Sequence, residues 1–312
     1  MPGSAILRSA LVCLAVALPA ATAHAQLFRT YLASDGSDAN PCTVQAPCRL
    51  LPAALAAVKD GGEVWIMDSA NFNTGPVVIN KSVSILAIPG ALGSIVGSGG
   101  DAILINTAGV KVSLRNLKIL NFSGGLNGIH MTNGASLKVE GCEIAGFTDS
   151  GFYSGIKVKT PAKVTIVDTI VRDNYIGIWF DNGSKGDVAR ATVVGNTYIG
   201  IFAEPTLDST VTVTVSDSVS SNNDFGFVAG GYESSFLARM TVSRSTASHN
   251  GTSGFVTRGS GTALMVVAGS VASHNDWGFA NAGGTFRSLG DNAVFDNKID
   301  DIGGTVTVVA GK

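Results

Sequence analysis

Two carboxylates in the middle of the chain, Asp181 and Glu204, end two similar segments, "GIWFD" and "GIFAE". If these segments stack as neighbouring parallel strands, the carboxylates lie about 5 Å apart. That separation is typical of the two acids of a retaining glycosidase, and a carboxylate pair can also bind calcium. The "DNG" and "EP" that begin with these acids are ordinary turn sequences, so a purely structural role stays open.

Basic and aromatic side chains occupy a neighbouring position in the same series of segments. The residue after Gly-Ile is His130, Lys157, Trp179 or Phe202 in four successive segments, and Lys159 follows Lys157 by two places. A flat aromatic face can carry a sugar ring, and charged groups can orient its hydroxyls or carboxylates. We therefore predict an exposed Trp179 and a substrate-binding face formed by these five residues. Three longer inserts are expected to wall this face: "TDSGFYS" (148–154), "EPTLDS" (204–209) and "GYESSF" (231–236).

Two of the four histidines, His249 and His274, stand one repeat apart in the same Ser-His-Asn setting. Stacked imidazoles could contribute to a metal site, but the sequence offers no third protein ligand. The equivalent residues elsewhere are polar or glycine, which suits a bend that faces solvent and includes a left-handed residue. We predict that the pair belongs to a repeated turn.

A repeat of about 25 residues positions all of these side chains. Each unit reads as short strands and turns and cannot bury its own apolar side, whereas stacked units bury matching positions as columns. The pattern predicts an all-β parallel β-helix whose inward column is Ile129, Ile156, Ile178, Ile201, Phe227, Phe255 and Phe279. Asparagines at the bend are predicted to hydrogen-bond from coil to coil as a ladder: Asn174, Asn196, Asn223, Asn250, Asn275 and Asn297.

The N-terminal region is organised differently from the repeats. Residues 1–25 have the charge, short apolar run and small-residue end of a secretory signal, so we expect export to the periplasm or outside the cell. Residues 26–75 are a predicted cap with one short helix that carries apolar residues from Leu51 to Val58. Residues 76–312 hold the predicted coils.

The cap carries the run "GSDANP" (36–41), then Thr43, Pro47 and a Gly61-Gly62 pair after the helix. This pattern resembles the cap of bacterial right-handed parallel β-helix proteins of the pectin-lyase-like superfamily. The resemblance covers nearly the whole mature chain and implies a right-handed coil that acts on or binds carbohydrate. The sequence lacks the catalytic motifs of the polygalacturonases, lyases, epimerases and esterases with this fold, so no catalytic residue is carried over.

Three cysteines follow the predicted signal. Cys42 and Cys48 are close enough for a small-loop disulfide, which an oxidising compartment permits. Zinc is a poor alternative, because two cysteines need two further ligands. Cys142 is left over and is predicted to be a buried thiol.

Charge and hydropathy exclude two classes of partner. The formal net charge is −2, and the sequence contains no basic cluster, so we expect no nucleic-acid partner. No segment after the signal is uniformly apolar for the roughly 20 residues of a membrane span, so we expect no membrane insertion. No cofactor is predicted, apart from the calcium that the carboxylate pair could hold.

Two functions from different classes fit these observations. The first is an exported β-helix protein that binds a polysaccharide on an outer face of the solenoid, with cleavage by a lyase or hydrolase activity left open. The alternative is a non-catalytic cell-envelope or adhesin-like structural module.

Overall fold

The computed structural model describes residues 26–148, 151–231, 236–259 and 262–310. In these ranges the chain winds into an all-β parallel solenoid of roughly 25 residues per coil, as the repeat predicts. The predicted signal segment and parts of two predicted inserts, 148–154 and 231–236, lie outside the described residues. No helix among the described residues is both long enough and apolar enough to cross a membrane.

Each coil contributes one strand to each of three parallel sheets. We number the sheets in the order in which their strands follow one another along each coil. Within the described residues the first sheet has 12 strands: Leu27–Leu32, Val58–Ile66, Val83–Ala87, Lys111–Arg115, Ser136–Glu140, Lys163–Val167, Lys185–Ala189, Thr210–Ser216, Leu237–Ser243, Ala263–Ala268, Thr285–Ser288 and Val306–Val308.

The second and third sheets follow after short turns. The second sheet has 10 strands in the described ranges: Ala70–Asn71, Gly93–Ser98, Leu117–Ser123, Glu143–Ala145, Ile170–Arg172, Thr192–Val194, Val219–Ser221, Thr246–Ser248, Val271–Ser273 and Ala293–Phe295. The third sheet also has 10 in these ranges: Val77–Ile79, Ile103–Asn106, Ile129–Asn133, Ser154–Lys159, Ile176–Asp181, Ile199–Ala203, Phe225–Gly231, Ser253–Gly259, Trp277–Ala282 and Asp300–Gly303.

Alternation of apolar and polar residues sets which side of each strand is buried. In "TVTVTVS" at Thr210–Ser216 the valines are buried and the threonines exposed, because successive side chains of a strand point to opposite faces. The predicted inward column is confirmed, since Ile129, Ile156, Ile178, Ile201, Phe227, Phe255 and Phe279 pair in register. Each of them is at most 1% exposed. This column is the centre of the core.

The asparagine ladder is also confirmed. Each Nδ2 donates to the Oδ1 of the asparagine in the next coil, over 2.9–3.2 Å, from Asn174 to Asn297. The series ends within the last coil, where Asn297 Nδ2 donates to Asp301 Oδ1 at 2.8 Å. Because these amides are buried from Asn174 to Asn275, and half-buried at Asn297, the ladder satisfies polar groups that would otherwise destabilise the fold.

The residue before each ladder asparagine turns the chain. Asp173, Asn222, His249, His274 and Asp296 have φ between 55° and 57° and are exposed. The imidazoles of His249 and His274 stack with centroids 4.9 Å apart. The histidine pair therefore belongs to a repeated left-handed turn that faces solvent, as predicted.

The cap differs from prediction in where its helix ends. The helix spans Leu51–Ala57, and Val58 already begins strand Val58–Ile66, with φ −75° and ψ 140°. Val58 is buried and pairs with Leu27 in the first sheet. Val58 therefore matches the spacing of a helical apolar face, but it belongs to a strand, and its side chain is buried there.

The predicted states of the three cysteines are confirmed. Cys42 and Cys48 form a disulfide, and their Cα atoms are 4.6 Å apart. A disulfide fits a non-cytoplasmic compartment. Cys142 is a free, buried thiol, and burial raises its pKa to about 11. It is a core side chain rather than a nucleophile, because the thiolate is the reactive form.

Candidate functional site

The third sheet brings the predicted site residues together in register. His130 pairs with Lys157, Lys157 with Trp179, and Trp179 with Phe202 on its outer side. Lys159 pairs with Asp181 in the neighbouring outward column. The spacing of the repeat therefore predicted correctly which side chains are neighbours, although their role in binding stays a prediction.

The expected exposure of Trp179 is wrong. Trp179 is 7% exposed and Phe202 is 2% exposed. Their rings stack at 5.6 Å within a second apolar cluster outside the solenoid, against which Tyr175 and Tyr198 pack. The tyrosines come from the turns that lead into the third sheet. The repeat pattern did not predict that residues of these turns pack against the sheet. The aromatic pair offers no open face to a sugar ring.

Two cations lie on this aromatic cluster. Lys157 Nζ is 4.0 Å from the centroid of Trp179, and Arg258 Cζ is 4.8 Å from that of Phe202. Arg258 also donates to Tyr198 Oη at 3.0 Å. Attraction between a cation and an aromatic face stabilises this closed arrangement.

The two carboxylates of the predicted acid pair are both buried. Asp181 accepts hydrogen bonds from the Asn182 N–H at 2.6 Å, the Thr206 N–H at 2.7 Å and Thr206 Oγ1 at 2.9 Å. Glu204 is 5% exposed, and burial raises its pKa to about 7, with a further contribution from the Asp181 charge and opposition from Arg258. Because Thr206 already donates to Asp181, and the raised pKa keeps about half of Glu204 protonated near pH 7, the pair is poorly suited to nucleophilic catalysis or to calcium. No cluster of three potential metal ligands occurs in the part of the chain that the structure describes.

A third acidic residue near this face, Asp101, was not predicted. Its Oδ2 lies 2.8 Å from His130 Nδ1, and its Oδ1 accepts from Asn127 Nδ2 at 2.7 Å. Although burial alone would raise the pKa of Asp101, the hydrogen bonds from His130 and Asn127 hold it below its usual value. The only sequence signal for this contact is that Asp101 stands one coil before Asn127.

The outer face of the first sheet carries a set of cations that the sequence analysis missed. Lys111, Ser136, Lys163, Lys185, Thr212 and Arg239 follow one another in register along one outward column. Lys111, Lys163, Lys185 and Arg239 are exposed, and none takes part in an ion pair between described residues. We call these four residues the cation column. They are one or two repeats apart in sequence, with Ser136 and Thr212 in the intervening coils, so no basic cluster is visible there.

A shallow cleft of about 350 Å³ begins at one end of the cation column. Small residues, Gly62, Ser84, Ser113 and Ser136 among them, line its floor, and Lys111 also lines it. The next outward column adds the exposed hydroxyls of Thr214 and Thr241. Hydroxyl groups beside cations suit a ligand that has both anionic groups and hydroxyls.

Three parallel sheets, an inward apolar column and an asparagine ladder define a parallel β-helix protein with a pectate lyase-like fold. Residues 101–271, more than half of the chain, match the family described as right handed beta helix region. The chain belongs to this family. The resemblance to right-handed parallel β-helix proteins is thereby confirmed.

Solved structures with a similar fold include pectate lyase Pel9A, at 14% identity and TM-score 0.64, covering 92% of this chain and 78% of that one. The GH136 lacto-N-biosidase from Eubacterium ramulus has 13% identity and TM-score 0.48, with coverages of 90% and 68%. The pectin methylesterase from Aspergillus niger has 11% identity and TM-score 0.47, with coverages of 88% and 90%. A comparison with curated proteins finds no match. At these identities the likeness to solved structures establishes the fold alone.

Proposed function

We propose that this is an exported protein that binds an acidic polysaccharide along the outer face of its first sheet. The cation column is the observation that carries the proposal. Neighbouring strands of a sheet are about 4.8 Å apart, so Lys163 and Lys185 present two charges at the interval of one coil. A linear polyuronate carries one carboxylate on each sugar ring, and a ring is about as long as one coil spacing.

Charge is distributed so that this face can attract a polyanion although the chain is slightly acidic overall. The turns on either side of the second sheet carry several exposed acids, three of them paired with arginines: Asp168, Asp173, Asp217 and Asp296. Glu140 and Asp187 also lie on the first-sheet face, but its cations outnumber these acids. A surface with an excess of one sign of charge attracts oppositely charged ligands, and salt weakens that attraction. The pectate lyase with a similar fold is named for an acidic polysaccharide, which agrees with this ligand class.

The proposed role is binding rather than cleavage. Glu140, a carboxylate on the same face, is held by Lys138 at 2.7 Å and Arg115 at 3.3 Å, and these ion pairs lower its pKa. A carboxylate with a lowered pKa is a weak general base. This interpretation brings the proposal close to the alternative of a non-catalytic envelope module, with the acidic polymer as the partner.

The test is the affinity for polygalacturonate of a triple variant, Lys163→Ala, Lys185→Ala and Arg239→Ala, measured at low and at raised salt. Loss of three surface cations from the binding face should lower the affinity about tenfold at low salt and reduce its salt dependence. The matched control, Arg190→Ala, Arg244→Ala and Lys298→Ala, removes the same net charge from exposed positions elsewhere. Equal affinities of the two triple variants would overturn the proposal, as would equal binding to neutral dextran.

Cleavage is tested separately by incubating the protein with uronate, neutral and aminosugar polysaccharides, with and without calcium, and analysing the products by mass spectrometry. We expect no oligosaccharide products. Release of unsaturated or hydrolysed fragments would contradict the binding-only role and direct attention to the third sheet.

A further inference from the structure

We infer that His130, Lys157 and Lys159 form a second binding site, on the outer face of the third sheet, for a single sugar unit that carries a carboxylate next to a hydroxyl. This site does not depend on the cation column, because it lies on a different sheet. The inference rests on the orientation of one imidazole and on two cations placed beside it.

The His130 imidazole is held in one orientation by a chain of hydrogen bonds across three coils. The Ser154 N–H donates to Asn127 Oδ1 at 2.8 Å, and Asn127 Nδ2 donates to Asp101 Oδ1 at 2.7 Å. Asp101 Oδ2 then faces His130 Nδ1 at 2.8 Å. Because the pKa of Asp101 is held low, its carboxylate accepts the Nδ1 proton, and Nε2 is the ring nitrogen left for a ligand.

His130 Nε2 has no hydrogen-bond partner among the described residues, although it is shielded from solvent. The side chain as a whole is 19% exposed, so the imidazole is within reach of the surface. A polar atom in this state is unfavourable until a ligand pairs with it. A sugar hydroxyl can pair with Nε2, because a hydroxyl both donates and accepts hydrogen bonds.

Lys157 provides the charge that selects an anionic sugar. It lies in the strand next to His130, with its ammonium above the Trp179 ring, and burial together with the nearby Lys159 charge lowers its pKa. Its hydrogen bond to the Phe152 carbonyl is long, 3.4 Å. A carboxylate is a stronger acceptor than a carbonyl for an ammonium, so a ligand carboxylate can replace the Phe152 carbonyl as the partner of Lys157.

Lys159 completes the set on the exposed side. Lys159 follows Lys157 by two residues in the same strand, and its side chain is exposed. Its partner in the next strand is Asp181, which already accepts hydrogen bonds from Thr206. Two ammonium groups and one unpaired imidazole nitrogen fit a uronic acid, whose carboxylate and neighbouring hydroxyl lie on adjacent ring carbons. Neutral hexoses lack the carboxylate, and inorganic phosphate lacks the sugar hydroxyls.

Calorimetric titration with trigalacturonate tests the site. We expect His130→Ala and Lys157→Ala each to weaken binding about tenfold, because each removes one polar contact of a small ligand. The matched controls His249→Ala and Lys298→Ala remove an exposed histidine and an exposed lysine from other faces and should bind as the unmodified protein does. Each titration is made in the background of the first-sheet triple variant, which removes any binding of trigalacturonate at the cation column, so the two proposals fail independently.

A positioning test uses Asp101→Asn, which leaves His130 in place but removes the carboxylate that accepts the Nδ1 proton. We expect the ¹⁵N chemical shifts of His130 to report a change in tautomer, together with weaker trigalacturonate binding. Unchanged binding in His130→Ala, or equal affinity for trigalacturonate, galactotriose and inorganic phosphate, would overturn the inference.

Discussion

At the scale of single residues, Asp181 and Glu204 acquire different environments although they end equivalent segments. Asp181 is surrounded by donors, with the Thr206 N–H and hydroxyl both directed at it. Glu204 Oε1 has no partner among the described residues, and Glu204 reaches toward Gly230, whose missing side chain leaves it room. The environment of each carboxylate is therefore set largely by the next coil, through Thr206 for Asp181 and Gly230 for Glu204, rather than by its position in the repeat.

Glu204 should make the stability of the protein depend on pH. Its folded-state pKa, about 7, lies above the ordinary value of 4.5, so the folded state binds more protons between these values. Stability is then lost as the pH rises from about 4.5 through 7, by about 3 kcal/mol for complete ionisation. We expect Glu204→Gln to be less sensitive to pH than the unmodified protein when urea midpoints at pH 5 and pH 8 are compared. Asp208→Asn, an exposed acid in the same turn, is the control, and an equal effect of both variants would contradict the assignment.

At the scale of elements, the asparagine ladder joins the coils through side chains as well as through the sheets. Asn223 Oδ1 accepts from both the N–H and Nδ2 of Asn196, at 2.9 Å each, and its Nδ2 donates to Asn250. Asn223→Ala leaves two buried donors of Asn196 without an acceptor, which should cost about 2–4 kcal/mol in the free energy of unfolding. Asn222→Gly changes the exposed left-handed residue next to it and should be nearly neutral, because glycine adopts positive φ readily. Chemical denaturation of both variants checks the difference, and equal midpoints would show that the ladder is dispensable.

The elements that sequence could predict are those fixed by one repeated position. The inward column and the ladder are such positions, because the equivalent residues of successive coils lie in the same buried environment. The burial of Trp179 was not predictable in this way, since its ring lies against Phe152 of the 148–154 insert and Lys157 of the preceding coil as well as Phe202. Core packing also differs from coil to coil. A Cβ atom on Gly186 would lie 2.4 Å from the Phe180 ring, so in this coil the large side chain of Phe180 fills the space beside a glycine.

At the scale of the whole molecule, stacking turns residues that are far apart in sequence into continuous surfaces. The cation column shows this most clearly, because Lys111 and Arg239 belong to one line on the first sheet although more than a hundred residues separate them. The contact between Asp101 and His130 has the same origin, in two neighbouring coils. A scan of the sequence for local charge clusters cannot find either, whereas a scan at the period of the repeat can.

Stacking also means that each coil is stabilised mainly by its two neighbours, so the terminal coils should open first. The two ends differ: strand Leu27–Leu32 is covered, since Tyr31 bonds to Cys42 and Cys48 through its backbone and the helix packs beside it. In the last described coil, Ile302 continues the inward column but is 47% exposed, and Val308 is 68% exposed. Hydrogen exchange should therefore be fastest in Asp300–Gly303 and Val306–Val308, slower in the N-terminal strand and slowest in central strands such as Ile199–Ala203. Mass spectrometry of the exchanged peptides measures this order, and equal protection of the last and central coils would mean that the solenoid unfolds as one unit rather than from its ends.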